Sequence, residues 1–448
     1  MRTIADLFKN IMIVEGSEST SESIGHLPHV VEASLHGNHE STIAHLENAF
    51  DIIRGKKGIE GSNLSQKADG KVSILFGKKN GVPFVKYKGS GAKPLTSVEA
   101  IKQHTKDTGK DYLEDSFMMG LKAASHPSIE HNTSYQADTM IDHASDSVRG
   151  NIIKYKKPAN TTKSILAVHT KFENGVDTKS GAPDLSHVDT GEMHFPNLSM
   201  KGKNYSPTQE ESSAIKENIS KAKKIFNDPA VAKVMKQIAS HKSESKTGHR
   251  HMFFREFNNK FQNGEASERS VSELMKFAGK KLEKTTNKKE KERILGHIKY
   301  VTANTKHISK MLQAHSHVDA ARDHIIKVLN RANPELKPLD PETGEVNYNF
   351  SEGFVSDIPG HGQVKFVPKE FSVRNRAESA ARKVVREDAG MMTASSGAIS
   401  GMGYNLGGPA PDDVAVAPLS SRKPNPLRKK LVRKFLGSVN LNRKEDIS

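Results

Sequence analysis

The 448-residue chain has no cysteine. Disulfides, thiolate catalysis and cysteine metal sites are therefore excluded, and a reducing compartment is compatible with the sequence. No run approaches the ~20 apolar residues of a membrane-spanning helix. The opening segment has neither the apolar centre nor the small-residue cleavage site of a secretory signal. Hydrophobic residues make up only 35% of the chain, so one packed core with extended polar segments fits better than uniform compactness. No repeat of fixed period is visible. Positive charge is in excess, at a formal +16 with a sequence pI near 9.5. That balance favours polyanionic partners through phosphate neutralisation and counterion release, although solubility alone would also account for it.

Length allows two or three domains. Apolar residues at Ile43, Leu46, Phe50 and Ile53 predict a helix over Thr42–Arg54, stopped by Gly55. Asn80-Gly81 between apolar runs predicts a hairpin. Residues 97–124 read as helical, and two strands are expected at Gly150–Tyr155 and Ser164–Thr170. From Ser206 to about Asn333 the sequence is long, charged and helix-forming, which suggests a helical insertion. Strand character returns at 353–355 and 363–367, and core patterning is lost after Arg376. Residues 392–419 are rich in Gly, Ala, Ser and Pro. The last 28 or so carry nine lysines or arginines against Glu445 and Asp446, either a grip for nucleic-acid phosphates or a solvated end. The expected organisation is an N-terminal segment (1–41), a core (42–205 and 345–376), a helical insertion (206–344) and a low-complexity basic tail (377–448).

The chemistry centres on Lys67-Ala68-Asp69-Gly70 at the entrance to the first hairpin strand. A lysine held where the chain turns into a sheet can act as a nucleophile if its amine is neutral. The same four residues also read as a polar turn. Further candidates are Tyr135–Met140, with Asp138; Leu166–Phe172; Ser351–Val355, with Glu352; and Val364–Phe371, with Lys365 and Lys369. The bland readings are a cap or loop residue for Asp138, core packing for Phe172, turn residues for Glu352-Gly353 and a solvent-facing strand lysine for Lys365.

In this order the motifs resemble the covalent nucleotidyltransferases: DNA ligases, RNA ligases and capping enzymes. They are most similar to uncharacterised ligase-like proteins of tailed bacteriophages, in which an Asn-x-Ile-x-Tyr strand (here Asn151, Ile153, Tyr155) precedes the stacking strand. The resemblance covers roughly residues 42–175 and 350–376. It implies an α+β fold: a ligase-type core of antiparallel sheets with flanking helices, interrupted by the helical insertion and followed by the basic tail. It also implies a lysyl-nucleotide formed on Lys67, with ATP and Mg2+ as cofactors. Asp69 would orient the lysine segment or bind a metal-bound water, and Gly70 would permit close backbone approach. Lys365, and Lys88 with it, would supply cationic field that lowers the Lys67 pKa and neutralises phosphate. Glu352 would bind metal, Asp138 the ribose, Phe172 the base, and Lys369 a phosphate. The family's second strand lysine is missing, because Val367 stands there. Turnover then depends on whether Lys369 reaches the phosphates.

Residues Met1–Glu15 form an amphipathic stretch ending Ile13-Val14-Glu15, which resembles the capsid-targeting peptides of phage head proteins. Host cytoplasm is the expected location, with packaging into a virion the extension of that resemblance. The expected partners are a nucleotide, nucleic acid through the basic surface and tail, and phage head proteins, with no membrane. The rival expectation is a non-catalytic virion protein that keeps the fold as a binding module. His249, His251, His315, His317 and His324 are weak metal candidates without cysteine or a carboxylate pattern. Gly401–Gly407 has the wrong spacing for a dinucleotide loop and is rejected.

Overall fold

Two antiparallel sheets meet where the chain passes from one to the other, and that passage is the Lys67 segment. In the computed structural model the described residues are 27–88, 92–141, 147–157, 164–178, 181–188, 192–241 and 249–378. The targeting-like Met1–Glu15, the Gly/Ala-rich stretch and the basic tail lie outside them. The smaller sheet has the order β1 (Asn63–Gln66), β10 (Phe354–Ile358), β11 (Gly362–Phe366). The larger runs β3 (Val82–Tyr87), β2 (Val72–Lys79), β4 (Thr133–Ile141), β7 (Ser164–Glu173), β8 (Val176–Asp177), and β9 (Met193–His194) adds to β7 in parallel. A third pair, β5 (Ser147–Arg149) and β6 (Lys154–Lys156), stands apart. The class is α+β.

Local sequence explains most elements. Asn80 and Gly81 turn the β2–β3 hairpin with φ of 50° and 82°, the left-handed pair that such a two-residue turn demands. Helix α1 (Val30–Ala33) precedes α2 (His39–Ile53), which is capped by Asn38 and stopped by Gly55. The run 97–124 is not one helix but two, α3 (Val98–Thr108) and α4 (Glu114–Ser125). They part at Gly109, whose φ of 61° ends α3.

Alternation along β2 and β4 sends Ile74, Phe76, Tyr135 and Ala137 into a core with Phe117 and Leu121 of α4. The opposite face carries Ser73, Gln136 and Asp138. Helices α5 (Gln209–Phe226), α6 (Pro229–Ser240), α7 (Arg250–Gln262), α8 (Val271–Lys284), α9 (Lys288–Ala303) and α10 (Thr305–Arg331) follow. The helical segment shares one core with the smaller sheet: Phe354, Val364 and Phe366 pack with Leu46, Ile53, Ile308 and Leu312. The described residues up to Phe371 form one compact unit. A small cluster of Ala68, Met140, Tyr155, Ala167 and Val367 draws on both sheets. Among the described residues no helix is long and apolar enough to cross a membrane.

Candidate active site at the crossing between the sheets

Residues 67–71 leave β1, which pairs with β10, and enter β2, which pairs with β4. Four backbone contacts hold this crossing. The Lys67 N–H donates to Gly353 O (2.9 Å), the Asp69 N–H to Tyr155 Oη (3.0 Å), the Asn151 N–H to Asp69 O (2.9 Å) and the Lys71 N–H to Thr139 O (3.0 Å). Just upstream, the buried Gln66 amide exchanges two hydrogen bonds with the Leu336 backbone, at 2.7 and 3.0 Å. The segment that carries Lys67 is thus fixed from both sides.

Asp69 takes a positioning role. Its Oδ2 accepts from the Ile152 and Ile153 N–H groups at 2.6 and 2.7 Å. This corrects the strand expected at Gly150–Tyr155: only Lys154–Lys156 is strand, because the amides before it wrap around a carboxylate instead of a ladder. Burial, then the charge of Glu352, pushes the Asp69 pKa up to about 7 against those two hydrogen bonds and Lys67. Gly70 has an ordinary φ, and close approach is what requires it. A Cβ there would sit 2.3 Å from the Asp138 Cβ. Gly353 needs both features, with φ of 107° and a Cβ that would lie 1.9 Å from Phe366 O.

Glu352, immediately before that glycine, places Oε1 2.5 Å from Lys67 Nζ. The two side chains keep 24% and 14% of their surface accessible, so the pair reaches solvent. Glu352 Oε2 is buried without a hydrogen-bond partner among the described residues. Burial works to lower the Lys67 amine, yet the net direction is upward. Glu352 by charge and hydrogen bond, with Asp138 and Asp69 behind it, holds the ammonium. The expectation that neighbouring cations depress Lys67 is therefore reversed, because carboxylates surround it more closely.

Lys365, on β11 opposite Val355, is buried, and its pKa falls to about 8 through burial first and the Lys67 charge second. Asp138, on the open face of β4, lies 3.9 Å from His169 Nε2. Burial would raise its carboxylate, but His169, Lys67 and Ser73 together bring it below the usual value. Lys88, at the end of β3, donates its N–H to Ser73 O (3.3 Å) and is close enough for Asp138 and Lys67 to act on its amine.

The structure therefore gathers Lys67, Asp69, Gly70, Lys88, Asp138, Glu352 and Lys365. Phe172 pairs with Ser134 on the sheet face that carries Asp138, four residues further along β4. Lys369 is directed elsewhere: its amine lies 4.0 Å from the Phe261 ring centroid, within the charge field of Asp319 and Arg269. Val367 is buried in the small intersheet cluster. The metal candidates His315 and His317 hydrogen-bond Ser34 and Asn218 instead. Among the described residues no three His, Asp or Glu are arranged to hold a metal by themselves.

Three contributors were missed in the sequence. His169 lies inside a motif that was noticed, but a bulge opposite Gln136/Ala137 is what brings it beside Asp138. Glu32 bonds back to the His29 N–H (3.0 Å), three residues away, yet a search for the Ser/Thr-x-x-Glu capping box passes over it because a histidine stands at the cap. Arg255, on α7, carries no local signal.

Comparisons with curated proteins and with solved structures found no significant match. One family model matches residues 25–379, most of the chain and all of the crossing just described, and the protein belongs to that family, described as "Family of unknown function (DUF6267)".

Proposed function

We propose that the protein is a ligase-type nucleotidyltransferase that carries a nucleotidyl group on Lys67, with ATP as donor and a polynucleotide end as acceptor. One observation carries the reading: Lys67 and Glu352, 285 positions apart, touch at 2.5 Å, and Lys365 is near enough for its charge to act on both. A turn lysine in a generic hairpin has no reason to meet those two partners.

The chemistry follows from this grouping. The Lys67 ammonium first loses a proton, and Glu352 Oε1 is placed to accept it. Lys67 Nζ then attacks the α-phosphorus. An N–P bond forms while the bond from phosphorus to the bridging oxygen breaks, and its electron pair leaves on pyrophosphate. An acceptor phosphate next attacks the same phosphorus, the N–P bond breaks and Lys67 regains a proton. Lys365, with Lys88, stabilises phosphate charge. Asp69 holds the lysine segment, and Asp138 with His169 presents polar contacts on the adjoining sheet face. Glu352 Oε2 is a hard oxygen lacking a partner among the described residues, so it suits magnesium, which when bound would neutralise phosphate charge.

A second reading, binding without turnover, is favoured by the buried Val367 and by Lys369 lying over Phe261. One assay separates the two. The protein is incubated with α-labelled ATP or GTP and magnesium, then denatured. Acid-labile, alkali-stable label on wild type and none on Lys67→Ala is expected. Absence of label with every nucleotide would leave only the binding module.

A further inference from the structure

The charges around Lys67 continue beyond the two strands. Lys365 is bridged through its backbone to the start of the described chain: its N–H donates to Pro28 O (2.9 Å), and it pairs with His29. His29 in turn holds Glu32, whose Oε2 accepts from the His29 N–H at 3.0 Å. The Glu32 side chain is only 2% exposed, and Arg255 of α7 places Nε 3.7 Å from its Oε2. Arg255 itself keeps 25% of its surface accessible. The groups thus alternate in sign, Lys67, Glu352, Lys365, Glu32, Arg255, running from the sheet crossing into the helical segment.

The buried Glu32 carboxylate lies beside Arg255 and within the charge field of Lys365, so two cations share one carboxylate. Each of those cations also faces elsewhere: Lys365 feels the attraction of Glu352 and the repulsion of Lys67, and Arg255 reaches solvent. A guanidinium at 3.7 Å is loosely held and keeps donors of its fork for another oxyanion. We propose that Lys365 and Arg255, bridged by Glu32, form a subsite for the terminal phosphates of the nucleoside triphosphate, so that the helical segment supplies part of the nucleotide site. This rests on the nucleotidyltransferase reading and assigns Arg255 to the pyrophosphate that leaves.

The test compares two probes by calorimetry in magnesium buffer: inorganic tripolyphosphate, which fills only the phosphate path, and AMP, which lacks the terminal phosphates. Arg255→Met should weaken tripolyphosphate at least about tenfold, the loss of a charge-assisted fork, while AMP affinity changes less than about twofold. Equal losses for both probes, or no loss for either, would overturn the subsite. Should Arg255→Met fail to fold, Arg255→Lys keeps the charge without the fork and should give the same selective loss in smaller measure. Unchanged affinities in that variant would refute the assignment, as would a wild-type protein that does not bind tripolyphosphate. If the selective loss appears but Lys67 never takes label, the transfer reaction is wrong and the phosphate subsite stands.

Discussion

Two ion clusters in this molecule set carboxylates against cationic side chains and differ in how the carboxylate oxygens are used. In the helical segment, Asp319 Oδ2 accepts from Arg269 Nε and Oδ1 from Arg322 Nη1, both at 2.8 Å, with Gln262 adding a bond to Oδ1 at 3.2 Å. The guanidinium of Arg269 also lies 4.5 Å from the Phe261 ring centroid. Arg269 and Arg322 are 0% and 1% exposed. At the sheet crossing, Glu352 commits one oxygen to Lys67 and leaves the other unbonded among the described residues, in a pair that water reaches. The first cluster is closed, with both Asp319 oxygens bonded while Arg269 Nη2 and Gln262 Oε1 stay buried without partners among the described residues, and it specifies packing. An open one, with its spare acceptor beside a lysine, has capacity for a ligand.

The largest effect should come from breaking the closed cluster. Removing one partner of a buried ion network leaves uncompensated charge, so Asp319→Ala should cost about 3–5 kcal/mol of unfolding free energy. Chemical denaturation followed by circular dichroism would measure it. Glu352→Gln should cost far less, about 1 kcal/mol, since its partner can turn to solvent. A loss as large as that of Asp319→Ala would place both clusters in the same structural class and end the distinction drawn between them.

Glu352→Gln should also change the chemistry of Lys67 in a defined direction. With the main source of upward shift gone, burial dominates and the amine becomes easier to deprotonate. An amine-acylating reagent at pH 8, read by peptide mass spectrometry, should therefore modify Lys67 faster in the variant than in wild type. Slower or equal modification would mean that Glu352 does not hold the ammonium. On the proposed transfer reaction, the variant should at the same time fail to form the nucleotide adduct, because it loses both the proton acceptor and the spare oxygen.

How far these two regions were legible in the sequence follows from the distance over which each signal acts. The hairpin at Asn80-Gly81, the α2 helix and the strand pair β10–β11 are set by residues a few positions apart, and periodicity and turn chemistry recover them. The passage of 67–71 between two sheets is not, since β1 pairs with β10 almost three hundred positions later. Glu352 and Lys365 were found through the resemblance, not through any periodicity. Lys369 was misleading for a physical reason: it follows β11 two positions beyond the place of the family's second lysine, and its amine lies over the face of Phe261 within the field of the Asp319 cluster. The strand expected at Gly150–Tyr155 had the right composition, and the Asp69 carboxylate outcompeted a ladder for its amides. Arg255 could not be read at all, because only tertiary packing brings α7 to Glu32.

The smallest effect at neutral pH, and the one that sharpens the comparison most, is the slope of stability with acidity. His315, in the helical core, hydrogen-bonds Ser34 and has its pKa lowered to about 3, by burial first and by Arg269 second. The unfolded chain binds that proton near the ordinary 6.5, so His315 makes stability fall as pH drops below that value toward 3. Asp69 acts in the opposite sense. Its folded pKa of about 7 exceeds the ordinary 3.8, so the folded state holds the proton more tightly and stability falls as pH rises from 3.8 to 7. Urea midpoints measured between pH 4 and 7.5 should therefore tilt in opposite directions in two variants. His315→Gln should flatten the loss of stability on the acid side, because the proton the unfolded chain preferred is gone. Asp69→Asn, which keeps an acceptor for the Ile152 and Ile153 amides, should make stability climb more steeply toward pH 7, because an opposing contribution is gone. Tilts of the same sign would mean that Asp69 is ionised throughout this range, held so by its two amides and Lys67, and the carboxylate beside Lys67 would then be a fixed charge and not a proton carrier.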